Sequence, residues 1–177
     1  MHRLTGLLIA ALLTAAPAAV RAADSIDVST DFLEPIASSE FDWDGFYAGV
    51  HGVGQASAVG GGQVGIGANL GVNTRLEFVL VGAEVAVQGL SGSAGMDVYL
   101  QTIGRVGVAA TDDVVVYGAG GLGLDVGPGA GTDALLGGGV ELALTENVSL
   151  RGQYLHGFDL TGANPKDQVS LGANFHF

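Results

Sequence analysis

Four charged side chains stand singly in apolar, glycine-rich stretches of the sequence and are the first candidates for chemistry. They are Glu84, Arg105, Glu141 and Arg151. A charge that such a stretch buries without a partner costs about 3–5 kcal/mol, so each group needs an opposite charge nearby. Two acids and two bases form a neutral set, which can pair in a closed interior or line a narrow polar passage.

A second candidate is the run Gly118–Gly123, which has the spacing G-x-G-x-x-G. In dinucleotide-binding proteins these glycines lead into a helix whose N-terminus holds the pyrophosphate. The next residues, Leu124–Gly129, contain Pro128 and two glycines and cannot begin a helix. We therefore expect no nucleotide and no other cofactor, and interpret the glycines as room for larger side chains.

The histidines also lack a catalytic pattern. They are His2, His51, His156 and His176. None has the H-E-x-x-H spacing of a zinc site, and His156 has no Ser two residues away. The absence of Cys excludes thiol catalysis and Cys-ligated zinc. The sequence therefore predicts a protein that is not an enzyme and has no metal site.

The composition excludes further classes of protein. The chain of 177 residues has 31 Gly and a net charge of −12, and only 14% of its residues are charged. An acidic chain is a poor partner for phosphates, so no nucleic-acid partner is expected. After the first two dozen residues no apolar run reaches the ~18 residues of a membrane helix.

The elements that position the charged residues are strands, because apolar residues recur at every second position. In residues 63–73, Val64, Ile66, Ala68, Leu70 and Val72 alternate with Gln, Gly and Asn. This period is typical of a strand with one apolar face. Similar segments predict eight strands, near 45–56, 63–73, 77–89, 97–109, 114–126, 133–144, 148–158 and 168–177.

The length of the strands predicts the architecture. At about 10–13 residues they are longer than the ~5–6 residues of ordinary strands and match the ~9–11 residues of a tilted membrane strand. Amphipathic strands satisfy every backbone group in lipid only as a closed barrel. The predicted fold is all-β, an eight-stranded antiparallel up-and-down transmembrane β-barrel over residues 45–177.

Short and longer connections alternate along the chain. Thr74–Arg75, Thr111–Asp113 and Thr145–Asn147 are predicted as tight turns, and the links near 57–61, 91–95, 127–131 and 159–166 as loops. In outer-membrane barrels the tight turns are periplasmic. We therefore expect both termini in the periplasm.

The segment Trp43–Gly49 resembles the W-x-G-F-Y-x-G opening of the OmpA-type, "porin family" outer-membrane barrels of Gram-negative bacteria. Val115–Gly121, Gly139–Leu144 and Val148–Tyr154 are similar to later segments of that family. The resemblance implies an eight-stranded barrel in the cell outer membrane, in contact with its lipid and lipopolysaccharide. It implies no single activity, because members include structural, adhesive and weakly conducting proteins.

The C-terminus resembles the signature that the barrel-assembly machinery reads. Its residues are Val169, Leu171, Ala173, Phe175 and Phe177. The resemblance implies that this machinery and periplasmic chaperones are partners during biogenesis.

Counting from the turns gives a register for the four charges, which point inward if apolar residues face out. With Thr145–Asn147 as the turn, Glu141 lies opposite Arg151. A pairing of Glu84 with Arg105 places the turn between their two strands around Ser93–Ala94. We expect a salt-bridged plug in the lumen, although a gated narrow channel would use the same residues.

The N-terminal residues are expected to lie outside the barrel. Residues 1–22 combine a basic start, the apolar run Leu7–Val20 and small residues at Val20–Ala22, and are predicted to be a signal peptide. Residues 23–44 contain seven acids and no base, and are predicted to be a flexible acidic segment.

Taken together, the residues favour a structural protein that contributes to membrane integrity or surface contact. Eight strands leave an interior that side chains can fill, so general porin activity is not expected. A low-conductance pore and a surface adhesin are the alternatives.

Overall fold

The computed structural model describes residues 41–57, 61–93, 95–126, 131–160, 162 and 164–177. The predicted signal peptide, residues 1–22, lies outside the described residues, as do residues 23–40 of the predicted acidic segment.

The described residues form eight strands. These are β1 (Gly45–Ser57), β2 (Gly61–Leu76), β3 (Val79–Gly92), β4 (Gly95–Thr111), β5 (Val114–Val126), β6 (Thr132–Ala143), β7 (Val148–Asp159) and β8 (Lys166–His176). Each strand pairs antiparallel with the next, and β1 also pairs with β8 to close a barrel. The predicted all-β, eight-stranded up-and-down barrel is confirmed. Within the described part of the chain, no helix is long and apolar enough to cross a membrane.

One predicted turn is wrong. β2 continues through Thr74 and Arg75 to Leu76, and the chain turns at Glu77–Phe78. Glu77 has a φ of 58°, in the left-handed region that non-glycine residues rarely adopt. Glu77 stands where a Gly or Asn is usual, so the sequence does not indicate the position of this turn. The other two tight turns, at Asp112–Asp113 and Thr145–Asn147, lie at the predicted positions.

The barrel has two different ends. The three tight turns, the start of β1 and the end of β8 lie together at one end, which we call the turn end. The other four connections, after β1, β3, β5 and β7, lie at the opposite end, which we call the loop end. The connection after β3 has only two residues, so the loop predicted near 91–95 is as tight as the turns at the other end. A position nearer the loop end is called higher in the lumen.

The outer wall is apolar because alternate residues of every strand face outward. Ile66 on β2 is 78% exposed and Leu171 on β8 is 70% exposed. The inward positions of the same strands carry Asn69, Asn73 and Gln168, which are buried. This distribution is the reverse of that in a soluble protein, in which large apolar side chains face the core.

Inward glycines make room for large lumen side chains. A Cβ atom at Gly71 would overlap the ring of Tyr47, and one at Gly123 would overlap the ring of Tyr99. Gly118–Gly123 lies entirely within β5, as does the start of the sequence that follows it. The G-x-G-x-x-G spacing is therefore part of a strand, and its last glycine accommodates a tyrosine.

Candidate functional site in the barrel lumen

The structure brings the four predicted charges together as two buried ion pairs, which we call the charge layer. Arg105 Nη1 lies 3.0 Å from Glu141 Oε2. Arg151 donates to both carboxylate oxygens of Glu84. Each of the four residues is at most 5% exposed. Because β3 and β7 stand opposite each other in an eight-stranded ring, the Arg151–Glu84 pair crosses the full lumen.

The strand registers agree with one prediction and correct the other. Glu141 is the register partner of Arg151, as counting from the β6–β7 turn predicts. Glu84 lies opposite Ile103, however, and Arg105 lies opposite Gly82. β3 and β4 pair as far as Gly92 and Gly95, so only two residues connect them. The observed register therefore differs by two residues from the one that pairs Glu84 with Arg105.

Both carboxylates accept further hydrogen bonds from neutral side chains. Glu141 Oε1 accepts from Ser149 Oγ at 2.6 Å and from Asn174 Nδ2 at 2.7 Å. Glu84 Oε2 accepts from Tyr47 Oη at 2.7 Å. These bonds occupy the lone pairs that the arginines leave, as a buried ion pair requires.

Arg105 is held from several sides. Its Nε and Nη2 atoms donate to Asn73 Oδ1 at 2.9 and 2.8 Å. Its guanidinium carbon lies 4.6 Å from the ring centroid of Tyr47 and 5.2 Å from that of Tyr117. The guanidinium is therefore both hydrogen-bonded and stacked between aromatic faces, a geometry that favours Arg over Lys.

Above the charge layer, three glutamines form a closed ring of hydrogen bonds, which we call the glutamine ring. Gln88 donates to Gln101 at 2.9 Å, Gln101 to Gln168 at 2.8 Å, and Gln168 back to Gln88 at 2.7 Å. The three residues come from β3, β4 and β8. Each amide uses its oxygen and its nitrogen within the ring. The sequence pattern did not reveal this layer, although all three residues occupy inward positions.

A third polar layer lies at the loop end. Lys166 Nζ contacts Asp125 Oδ2 at 2.5 Å and Asp133 Oδ2 at 2.7 Å. Tyr99 Oη donates to the same Asp133 oxygen at 2.6 Å. The lysine ammonium is thus held between two carboxylates. Sequence reasoning missed it because these residues lie at strand ends, where an inward direction is hard to assign.

Apolar side chains fill the spaces between these polar layers. Ile103, Leu135 and Leu155 belong to one buried cluster, and Val53 and Leu90 to a second. All five lie on the inward face, so the assumption that apolar residues face out is only partly correct. Their presence makes the lumen less suited to water than its charges alone indicate.

The last residues of the predicted flexible segment enter the turn end of the lumen. Trp43 has no exposed surface, and Phe41 is 3% exposed. Both pack with Leu80, Val115 and other residues of the first apolar cluster. The prediction of a flexible, solvated segment up to Asp44 is therefore wrong for residues 41–44. The available signal was the pair of aromatic residues within the four positions before β1.

One group of side chains has the composition of a hydrolase triad but not its geometry. Ser149 Oγ lies 3.1 Å from His176 Nε2, and Glu141 Oε1 lies 3.4 Å from the same nitrogen. A triad needs the acid on the other ring nitrogen. His176 Nδ1 has no hydrogen-bond partner. All three side chains are buried and Trp43 packs on His176, so we assign them no catalytic role.

Among the described residues, Tyr154, His156 and Asp167 form a polar cluster on the outer wall near the loop end. Asp167 Oδ1 accepts from Tyr154 Oη at 2.6 Å and lies 2.8 Å from His156 Nδ1. Phe158 stacks edge-on against His156 at 4.5 Å. Amphipathic aromatic residues of this kind concentrate where an apolar wall meets water. The described residues contain no group of His, Cys, Asp or Glu that could hold a metal ion.

The five residues of the predicted assembly signature face outward, four of them on β8 and Phe177 directly after it. Phe177, Leu171, Val169 and Phe175 are between 49% and 73% exposed, and Ala173 is half-buried. The rings of Phe175 and Phe177 contact each other at 5.3 Å. They form an aromatic edge to the outer wall at the turn end.

This fold defines a class: closed eight-stranded antiparallel barrels with an apolar wall and a filled lumen. No family model and no curated protein matches the sequence. Solved structures share the fold. Ail, the attachment invasion locus protein of Yersinia pestis, has a TM-score of 0.58 and 15% identity over 76% of this chain and 99% of its own. Neisserial surface protein A has a TM-score of 0.54 and 18% identity over 76% of this chain and 98% of its own.

A designed transmembrane β-barrel is also similar, with a TM-score of 0.50 and 13% identity over 74% of this chain and 95% of its own. At such identities the likeness concerns the fold alone. The OmpA-type resemblance therefore agrees with the structure at the level of eight-stranded barrels, and membership of that family stays a prediction.

Proposed function

We propose that this protein is a structural barrel of the Gram-negative outer membrane, with a lumen closed by its own side chains. The proposal rests on three polar layers that follow one another along the lumen. These are the charge layer, the glutamine ring, and the layer of Lys166 with Asp125 and Asp133. Each layer joins strands from different parts of the wall by direct side-chain contacts. An eight-stranded barrel is narrow enough for such contacts to fill it.

The outer wall supports a membrane location. On β8 the apolar face extends from Val169 to Phe177. With a rise of about 3.3 Å per residue and a tilt of about 40°, this segment spans roughly 20 Å, close to the ~25 Å apolar band of such barrels. The Asp167 cluster bounds the band at one end and the Phe177 ring at the other. We propose that the lipid and lipopolysaccharide of the outer membrane contact this wall.

The turn end is proposed to face the periplasm, because tight turns are periplasmic in this architecture.

The location in the outer membrane is tested by cell fractionation and by gel mobility with and without boiling. We expect the protein in the outer-membrane fraction, with faster mobility when unheated. A protein recovered in the soluble periplasmic fraction would contradict the proposal.

Conductance of the refolded protein in a planar bilayer tests the closed lumen. We expect no steady single-channel steps from the unaltered chain. Regular steps would contradict the plug and support the alternative of a low-conductance pore. The replacement Ser170→Ala, outside the three polar layers, is a matched control for effects of handling.

Surface adhesion is the lesser candidate. The longest loop-end connection, between Asp159 and Lys166, has six residues. Such short connections offer little area for a protein partner. Binding of whole cells to host surfaces, compared with and without the protein, tests this alternative.

A further inference from the structure

The segment Phe41–Asp44 closes the turn end of the barrel with two aromatic rings. The ring centroids of Phe41 and Trp43 are 4.4 Å apart. Both rings pack edge-on against His176, the last residue of β8, at 4.9 and 5.8 Å. On its other side His176 faces Tyr47, whose ring stacks on it at 5.4 Å. The segment therefore covers His176, which contacts Glu141 of the charge layer.

The segment is attached on both sides of the barrel mouth. Asp44 directly precedes β1, and its carboxylate accepts a hydrogen bond from the backbone N–H of Arg75 on β2. Trp43 Nε1 donates to the carbonyl oxygen of Asp112, in the β4–β5 turn, at 3.2 Å. The Asp112 turn lies between β4 and β5, three to four strands from β1 around the ring of eight, so Trp43 reaches across the mouth from the strand that the segment precedes.

The segment has fewer hydrogen bonds to the wall than the paired strands have to one another. Residues 41–44 form no strand. Besides the packing of its two rings on the first apolar cluster, the described residues hold the segment to the wall by two hydrogen bonds, those of Trp43 and Asp44. Segments with few bonds of this kind open locally at a lower free energy than the paired strands around them.

We propose that Phe41–Asp44 is a strap that seals the turn end of the lumen and lifts away while the barrel stays closed. With the strap in place, Ser149, His176 and Glu141 are shielded from water. With the strap lifted, water and small solutes reach them, whereas the glutamine ring still closes the lumen above. The proposal goes beyond the structural role and does not depend on which side of the membrane the turn end faces.

Thiol labelling of the refolded full chain tests the strap, because the sequence has no Cys. Leu80 and Leu90 are inward residues of β3, 5% and 1% exposed, in the first and second apolar clusters respectively. Leu80 is near the turn end of the strand and Leu90 near the loop end. Leu80→Cys and Leu90→Cys are therefore matched probes. Each is labelled with a hydrophilic maleimide, alone and combined with Phe41→Ala and Trp43→Ala.

We expect both probes to react slowly in the chain with an intact strap. Without the two rings, Leu80→Cys should react about tenfold faster or more, and Leu90→Cys should not change. An unchanged rate at Leu80→Cys would mean that the strap does not seal the lumen. Faster labelling at both positions would mean that the rings hold the whole barrel together. Either result would overturn the proposal.

Trp43 gives an independent readout, because it is the single Trp of the chain. In the full chain its emission should be blue-shifted and poorly quenched by acrylamide. Phe41→Ala, which keeps the reporter, should shift the emission to longer wavelength and increase quenching, with heat-modifiable mobility unchanged. An emission that is already that of a solvated Trp in the unaltered chain would contradict a docked strap.

Discussion

Glu141 and Arg151 lie directly opposite each other across the β6–β7 hairpin, yet each forms its ion pair with a different residue. Arg151 pairs with Glu84 on the opposite wall, and Glu141 pairs with Arg105, two strands away. Long side chains at one level of a narrow lumen reach across it as readily as they reach along the wall. The register of a hairpin therefore does not determine which charges meet.

The ion pairs predict that Arg151 is coupled more strongly to Glu84 than to Glu141. Arg151→Ala leaves Glu84 buried without its partner and should cost about 3–5 kcal/mol of unfolding free energy. Glu84→Ala with Arg151→Ala should recover part of that loss, since neither charge is then unpaired. Urea unfolding in detergent measures the double-mutant cycle. The matched control is the cycle of Glu141 with Arg151, in which we expect a weaker coupling.

A stronger coupling between Glu141 and Arg151 than between Glu84 and Arg151 would contradict the cross-lumen pairing. Couplings within ~0.2–1 kcal/mol in both cycles are the values of exposed pairs and would indicate a wet lumen.

The glutamine ring predicts non-additive losses. Gln101→Met removes a donor and an acceptor together, which leaves Gln88 and Gln168 each with one unpaired group and should cost about 1–3 kcal/mol. Adding Gln168→Met should cost less than the sum of the two single changes, because the ring is already broken. Unfolding of the three variants in urea checks this. Strictly additive losses would mean that the amides act independently.

The apolar wall predicts a dependence on depth for outward charges. Leu171→Arg places a guanidinium in the middle of the band and should destabilise the barrel by ~2–4 kcal/mol in lipid. Ala56→Arg, also outward-facing but next to Asp167 at the loop end, should cost at most about 1 kcal/mol. Equal losses for the two variants in lipid vesicles would be inconsistent with a membrane band at this position.

The C-terminal edge predicts an assembly defect. Deletion of Phe177 removes an exposed aromatic ring. It also removes a backbone N–H that donates to the carbonyl oxygen of Phe46 on β1 at 3.0 Å. We expect much less heat-modifiable protein in the outer membrane. Ser170→Ala, within the same strand, should assemble normally. Asn174 is a poor control, because it donates to Glu141. Equal membrane levels for the deletion and the unaltered chain would count against an assembly role.

The local order of the barrel could be predicted from the sequence. Alternation at every second residue indicated eight strands, and the turn at Thr145–Asn147 gave the β6–β7 register. These features depend on residues close together in the chain, so their signals are local. The register of Glu84 was wrong by two residues because its pairing with Arg105 was inferred from charge, and the Gly- and Ser-rich connection near Ser93–Ala94 fits more than one register.

Contacts across the lumen were decided only by the tertiary structure. The partner of Arg151, the glutamine ring and the entry of Trp43 under the Asp112 turn all join segments far apart in sequence. Which inward side chains meet depends on the stagger with which the strands close, since that stagger sets their heights along the barrel axis. The alternation of residues determines which side chains face inward. Closure of the wall determines which of them touch.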